Sequence, residues 1–213
     1  MNQAIFDGIS KGDAKQTPIF IQEELDAGVP ANVILMESMI PAMHHVGELF
    51  ARNEIYVPQM LIAARAMNAG LALIEPRLAE TGHKPLAKVC IGTVKGDLHD
   101  IGKNIVAMML KGAGFEVMDL GTDCDAEKFQ QAVDEGAQAI CLSALLTTTL
   151  PYMKKITEHF KGNNEVRIII GGAPASQAYA DEIQADGFAN NASDAVKAVA
   201  RSLGIALYQE PGV

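Results

Sequence analysis

The spacing of apolar residues changes near residue 80, and this change divides the chain into two folding problems. Before it, Met60, Ala64, Met67, Leu71 and Ile74 step by four and three, which places them on one stripe of a helix. Val33, Met36, Ile40 and Met43 form an earlier stripe, and shorter helical patterns cover Gln3 to Ile9 and Pro18 to Leu25. Four helices with apolar stripes pack naturally as a small bundle. Pro30 and Pro58 stand at helix starts, where a missing N–H matters little. Pro41 lies inside the third helix with Gly47 after it, which predicts a kink or break. The polar run Glu80-Thr81-Gly82-His83-Lys84-Pro85 reads as a linker.

Beyond Pro85 short apolar runs alternate with amphipathic segments. Strands are expected at Val89 to Val94, Glu116 to Leu120, Ala137 to Leu142, Val166 to Ile170 and Gly187 to Ala189, with helices between them and one after the last. That alternation implies a parallel sheet covered by helices on both faces. The fold class is therefore α/β: an N-terminal four-helix bundle, residues 1–83, followed by a flavodoxin-like (Rossmann-like) doubly wound five-stranded sheet, residues 84–213. In such sheets ligands bind at the carboxyl ends of the strands, beside the switch point between the first and third.

A length of 213 residues suits one large domain or two small ones. The 17 Lys and Arg against 26 Asp and Glu leave a net charge of −9, which disfavours nucleic acid and anionic membrane surfaces as partners. Cys90, Cys124 and Cys141 are widely spaced and odd in number, which fits a reducing compartment rather than a disulfide framework. Met1 to Ser10 has no basic n-region, and the uncharged run Gly136 to Met153 carries Gln138, Ser143, three threonines and Pro151. A cytoplasmic protein without a membrane span is expected.

The chemistry-bearing residues gather in the loops after the strands. After the first comes Gly96-Asp97-Leu98-His99-Asp100-Ile101-Gly102-Lys103-Asn104. In an extended loop, residues two apart point the same way, so Asp97 can bind one imidazole nitrogen of His99 while the other faces outward as a metal ligand. The same residues can equally be a helix N-terminus with acidic residues and a surface histidine. After the third strand, Ser143, Thr147, Thr148 and Thr149 are either helix capping or ligand contacts. After the fourth, Gly171-Gly172 is either a tight turn or an approach for a bulky ligand. The first loop lacks both the P-loop spacing and the dinucleotide fingerprint. One histidine is too few for a zinc site, but enough for a metal held by a macrocycle.

Asp97-x-His99-x-x-Gly102, then Ser143-x-Leu145, then Gly171-Gly172 resembles the cobalamin-binding signature of methionine synthase and of the corrinoid proteins of methyltransferase systems. The likeness extends through Gly92 to Val106 and over Asp119-Leu120-Gly121. In the helical part, Val46-Gly47-Glu48-Leu49-Phe50 and Tyr56-Val57-Pro58-Gln59 resemble the cap that precedes the cobalamin domain in those proteins. The resemblance implies that His99 is the lower axial ligand of cobalt, displacing the cofactor's own base, with Asp97 as its partner. Thr149 would stand where a serine completes the relay in methionine synthase. Ser143 would bond the displaced nucleotide base, and Gly171 and Gly172 would line the slot for the tail. Gly96, Asp100, Ile101, Gly102, Leu145 and Thr147 would complete the cofactor contacts, and Phe50 and Val57 would cover the methyl-bearing face.

A cobalamin or related cobamide is thereby implied, cycling between cob(I)amide and methylcob(III)amide with His99 leaving and rejoining cobalt. The implied activity is that of a methyl-carrying corrinoid subunit, with catalysis shared with partner enzymes. One is a donor-specific corrinoid methyltransferase; a second passes the methyl group to a folate or thiol; a reductive activation protein restores the reduced cofactor. The donor could be methanol, a methylamine, a betaine or a methoxylated aromatic. The competing readings are a cobalamin-binding sensor or regulatory protein and the small subunit of a cobalamin mutase.

Overall fold

The computed structural model describes residues 1–82 and 84–207. They form two compact units, one built on the chain up to Pro85, the other on Leu86–Lys111 and Phe115–Leu207. The expected boundary at residue 83 lies outside the described residues, as do the last six of the expected α/β segment.

The first unit holds α1 (Gln3–Ser10), α2 (Thr17–Asp26), α3 (Ala31–Ile34), α4 (Ile40–Ala51) and α5 (Val57–Glu80). Asn2 caps α1 by accepting hydrogen bonds from the N–H groups of Ala4 and Ile5. Between α3 and α4, Leu35–Met39 form one π-turn rather than a break, and the helical path continues past Gly47 to Ala51. The reason is Pro41, which cannot donate to a carbonyl of the preceding turn. One inserted residue lets the Ile40 N–H reach back five positions to Leu35, and the chain turns without an exposed gap.

The insertion also shifts the buried face. Met36, expected in the core, is 41% exposed, while Leu35 and Met39 are buried instead. Downstream the expected stripe holds: Met60, Ala64, Met67 and Ile74 are buried, with Leu71 at the margin. Helix α5 is the one described helix long and apolar enough to cross a membrane by length and composition, yet eight of its residues, from Met60 to Leu78, are buried within the protein.

In the second unit β1 (Lys88–Thr93), β2 (Glu116–Asp119), β3 (Ala139–Ser143), β4 (Arg167–Gly171) and β5 (Gly187–Ala189) alternate with α6 (Ile101–Gly112), α7 (Ala126–Asp134), α8 (Leu150–His159), α9 (Gln177–Ile183) and α10 (Ala192–Ser202). All pairings are parallel and the order is β2-β1-β3-β4-β5, so the chain reverses direction across the sheet between β1 and β3. One face packs Cys90, Ile140, Leu142, Ile168 and Ile170 against Phe129, Met153 and Ile156 from the covering helices. The uncharged run from Gly136 supplies β3, the following loop and the start of α8. Thr93, Ser143, Gly171 and Ala189 are in register across four strands, forming one row at their carboxyl ends. Burial pushes the Cys90 thiol up to about 12 and raises Cys124 and Cys141 as well, so all three stay protonated core residues.

Candidate functional site

Each of the three strands around the switch point holds part of the loop that carries His99. From β1, the buried Thr93 hydroxyl donates to the His99 carbonyl at 2.8 Å. At the turn out of β1, Gly96 has φ +82°, and its N–H donates to Asp123 in the loop after β2 at 2.8 Å. From beyond β3, the N–H groups of Leu145 and Leu146 donate to Asp97 Oδ2 at 2.8 and 3.2 Å.

Asp97 is fully buried, and five donors converge on its two oxygens. Oδ1 takes the His99 N–H at 3.1 Å and the His99 imidazole Nδ1 at 2.7 Å. Oδ2 takes the Leu145 and Leu146 N–H groups and the Thr149 hydroxyl, the last at 2.9 Å. Burial alone would raise this carboxyl. The hydrogen bonds, led by Leu145 N–H and the imidazole, outweigh it and hold Asp97 well below the usual carboxylate range. An ionised carboxylate only accepts, so Nδ1 must carry the proton and Nε2 keeps its lone pair. The His99 side chain is 52% exposed, so an outward imidazole ready to ligate a metal is built into the loop.

The depressed Asp97 carboxyl has a pH consequence. Its charged form contributes stability that is fully present above the unfolded value near 3.8 and is lost as pH falls toward the folded value. Asp97→Asn should therefore flatten the loss of stability below about pH 4, checked by urea unfolding at several acidic pH values. At neutral pH the same change turns an amide NH₂ toward existing donors. It should lower stability by about 1–3 kcal/mol and weaken any metal bond made by the His99 imidazole about 10–100-fold.

Thr149 is buried and ends a short 3₁₀ turn, Thr147–Thr149. Its hydroxyl lies 2.9 Å from Asp97 Oδ2 and 2.8 Å from the Leu146 carbonyl, and its one proton can serve either. The extra methyl lies on the side of Gly96, where a Cβ would sit 3.7 Å from it, so threonine still reaches the carboxylate. Thr149→Val leaves Asp97 with four donors. We expect a loss of about 1 kcal/mol in stability and a smaller change in axial ligation than for Asp97→Asn, read by thermal melts and cofactor titration.

Around the imidazole the surface is apolar. Leu98 is 74% and Ile101 72% exposed, and Leu145 and Leu146 are also open, so four large side chains face outward at one end of the sheet. Asp100, Gly102 and Thr147 are exposed beside them. Ser143, at the end of β3, makes no hydrogen bond through its hydroxyl to the described residues, and Gly171 lies next to it in register. Gly172 has a structural reason of its own: a Cβ there would fall 1.9 Å from the Ala144 carbonyl oxygen. In the helical unit Phe50 lies in the last turn of α4 and Val57 opens α5, both half-buried. Their covering role rests on the resemblance alone.

Two groups within the segments of resemblance, given no role by the sequence, belong to this end of the sheet. The Lys103 side chain is 2% exposed, its ammonium 2.5 Å from Asp119 Oδ1 and 2.7 Å from Asn104 Oδ1. Asp119 Oδ1 also accepts the Gly121 N–H at 2.9 Å, and burial notwithstanding, Lys103 and that N–H pull its carboxyl below the ordinary value.

An outward, carboxylate-oriented imidazole on a segment that exposes Leu98 and Ile101, with Leu145 and Leu146 exposed on the loop that binds Asp97, suits a flat, largely apolar metal macrocycle. Among the described residues no cluster of His, Cys, Asp or Glu could hold a metal ion by itself.

Comparison with known proteins agrees. Residues 87–200 match the B12 binding domain family, and residues 1–75 match a second B12 binding domain family. A corrinoid protein of Desulfitobacterium hafniense (strain Y51) is 40% identical over 212 residues, 96% of each chain. Dimethylamine corrinoid protein 3 of Methanosarcina acetivorans is 43% identical over 178 residues, 82% of this chain and 84% of that one. Among solved structures, the methanol:cobalamin methyltransferase complex MtaBC from Methanosarcina barkeri superimposes with a TM-score of 0.82 at 27% identity, over 95% of this chain and 80% of that one. The chain belongs to the B12-binding corrinoid proteins of methyltransferase systems.

Proposed function

We propose that the protein is a methyl carrier that accepts a methyl group on cobalt from a donor-specific methyltransferase and delivers it to a second methyltransferase acting on a folate or thiol. The observation that carries this reading is the imidazole of His99, held at Nδ1 by a buried carboxylate 2.7 Å away and half exposed within an apolar rim. A bound cobamide would supply a metal centre that takes up and gives away a methyl group.

The chain's own part is to hold, orient and release. His99 Nε2 would be the donor to the metal, and Asp97 fixes the tautomer and makes that nitrogen more basic. Asp97 would also stabilise a protonated imidazole, and Thr149 and the Leu145 and Leu146 N–H groups keep Asp97 ionised and in place. Leu98, Ile101, Leu145 and Leu146 take the apolar faces of the ring. Ser143 would offer its hydroxyl to the displaced base, and Gly171 and Gly172, whose missing Cβ atoms face the Ala189 and Ala144 carbonyl oxygens, would line the path of the tail with backbone. By the resemblance, Phe50 and Val57 would exclude water from a metal-bound methyl group. A reductive activation protein restores the carrier after oxidation.

The test is single-turnover methyl transfer. The purified protein is loaded with a cobamide and mixed with methyltransferases for methanol, methylamines, betaine and methoxylated aromatics, and the methylated cofactor is followed by its visible spectrum. Methylation with one donor, and demethylation by an acceptor enzyme, is the expected outcome. A loaded protein that no donor enzyme methylates would sink the carrier reading in favour of a sensor.

A further inference from the structure

The buried Lys103 invites a question that stability does not answer. Taking an ammonium out of water is costly, and apolar residues in place of a whole buried ion pair often serve a fold as well or better. What the lysine does supply is a fixed point. It ties the first turn of α6 to the end of β2 through Asp119, and it also donates to Asn104. Asn104 in turn donates through Nδ2 to the Asp100 carboxylate at 3.1 Å, and its N–H donates to the Asp100 carbonyl at 2.8 Å. Asp100 directly follows His99. A chain of polar contacts thus runs from Asp119 through Lys103 and Asn104 to the peptide that carries the imidazole.

We propose that Lys103 is a positioning residue for His99. Asp97 aims the imidazole ring and accepts the His99 N–H, but neither bond sets where α6 begins. The backbone is held on one side by Thr93, which grips the His99 carbonyl, and on the other by the Lys103 relay, which sets where α6 begins. Without the relay the start of α6 can shift, and an axial bond tolerates little displacement. Asp97 and Thr149 are untouched by such a change.

The inference rests on His99 being the axial ligand, so His99→Ala is carried alongside. Full-length protein with Lys103→Met, Asn104→Ala or His99→Ala is loaded with cob(II)amide. Nitrogen hyperfine splitting in the electron paramagnetic resonance spectrum reports imidazole coordination, and cofactor affinity and melting temperature are measured in parallel. Lys103→Met leaves the partly exposed Asp119 carboxylate without its cation and should lower the melting temperature by a few degrees, while lowering cobamide affinity about 10-fold, the low end for residues that orient a ligand. A fraction of the signal should lose its nitrogen splitting. Asn104→Ala breaks the relay at a half-buried residue, should fold whatever Lys103→Met does, and should shift the signal in the same direction. Unchanged splitting and affinity in Asn104→Ala and in any folded Lys103→Met, with splitting lost in His99→Ala, overturns this inference alone. Unchanged splitting in His99→Ala overturns the axial assignment beneath it.

Discussion

His99→Ala should abolish axial nitrogen coordination while leaving the fold intact. The imidazole is half exposed, so its removal opens no cavity in the core, and Asp97 keeps four of its five donors: the backbone N–H at position 99, Leu145, Leu146 and Thr149. The melting temperature of the unloaded protein should therefore fall by only a few degrees. A cobamide should bind more weakly and with a changed visible spectrum. The loss should exceed the ~10–100-fold expected when only the partner of a metal-bound histidine is altered. Added imidazole should restore part of the nitrogen-ligated spectrum, since the space beside Asp97 is vacated rather than filled. A spectrum identical to that of the unaltered protein would falsify the assignment of His99 as ligand.

The sequence made that histidine visible because spacing and place coincide. A two-residue step in an extended loop puts Asp97 and His99 on one side, and the alternating pattern places the loop at the end of the first strand. The hydroxyl-rich and glycine-rich loops fall at the ends of two other strands by the same logic. What could not be read was everything made by the backbone. Two of the five bonds that hold Asp97 come from the N–H groups of Leu145 and Leu146, and side-chain identity says nothing about where a peptide N–H points.

Lys103 was hidden for another reason. A lysine in the first turn of a helix reads as a solvated charge, and its partner Asp119 lies on a strand that only the tertiary fold brings near. In the helical unit Pro41 signalled a disturbance, but a proline does not say whether the chain breaks, kinks or inserts a residue. The insertion that resulted moved the buried face from Met36 to Leu35 and Met39. Strand order is likewise not a property of periodicity. It followed from the rule that parallel crossovers of one hand fill a doubly wound sheet from its switch point.

Gly172→Ala should be among the most damaging single changes in the α/β unit. The residue has φ +114°, a region that side chains with a Cβ rarely enter, at about 1–3 kcal/mol. The added Cβ would also lie 1.9 Å from the Ala144 carbonyl oxygen and 2.9 Å from its carbon. Those atoms are backbone, so no side chain can swing aside. Either the loop after β4 or the loop after β3 must move, and the latter carries the N–H groups that hold Asp97. A combined loss of about 4 kcal/mol or more is expected, since strain and backbone overlap act together. For a protein of this size that corresponds to a fall in melting temperature of roughly 8–16 °C. Cobamide affinity should drop even where the protein remains folded, because Asp97 loses its supports before the sheet itself comes apart. Gly121→Ala is the control: it also has positive φ, +79°, but its Cβ would meet nothing within 4 Å, so it isolates the backbone strain. Equal losses in the two variants would show that the Ala144 carbonyl does not crowd residue 172 and that the glycine is required by its backbone angle alone.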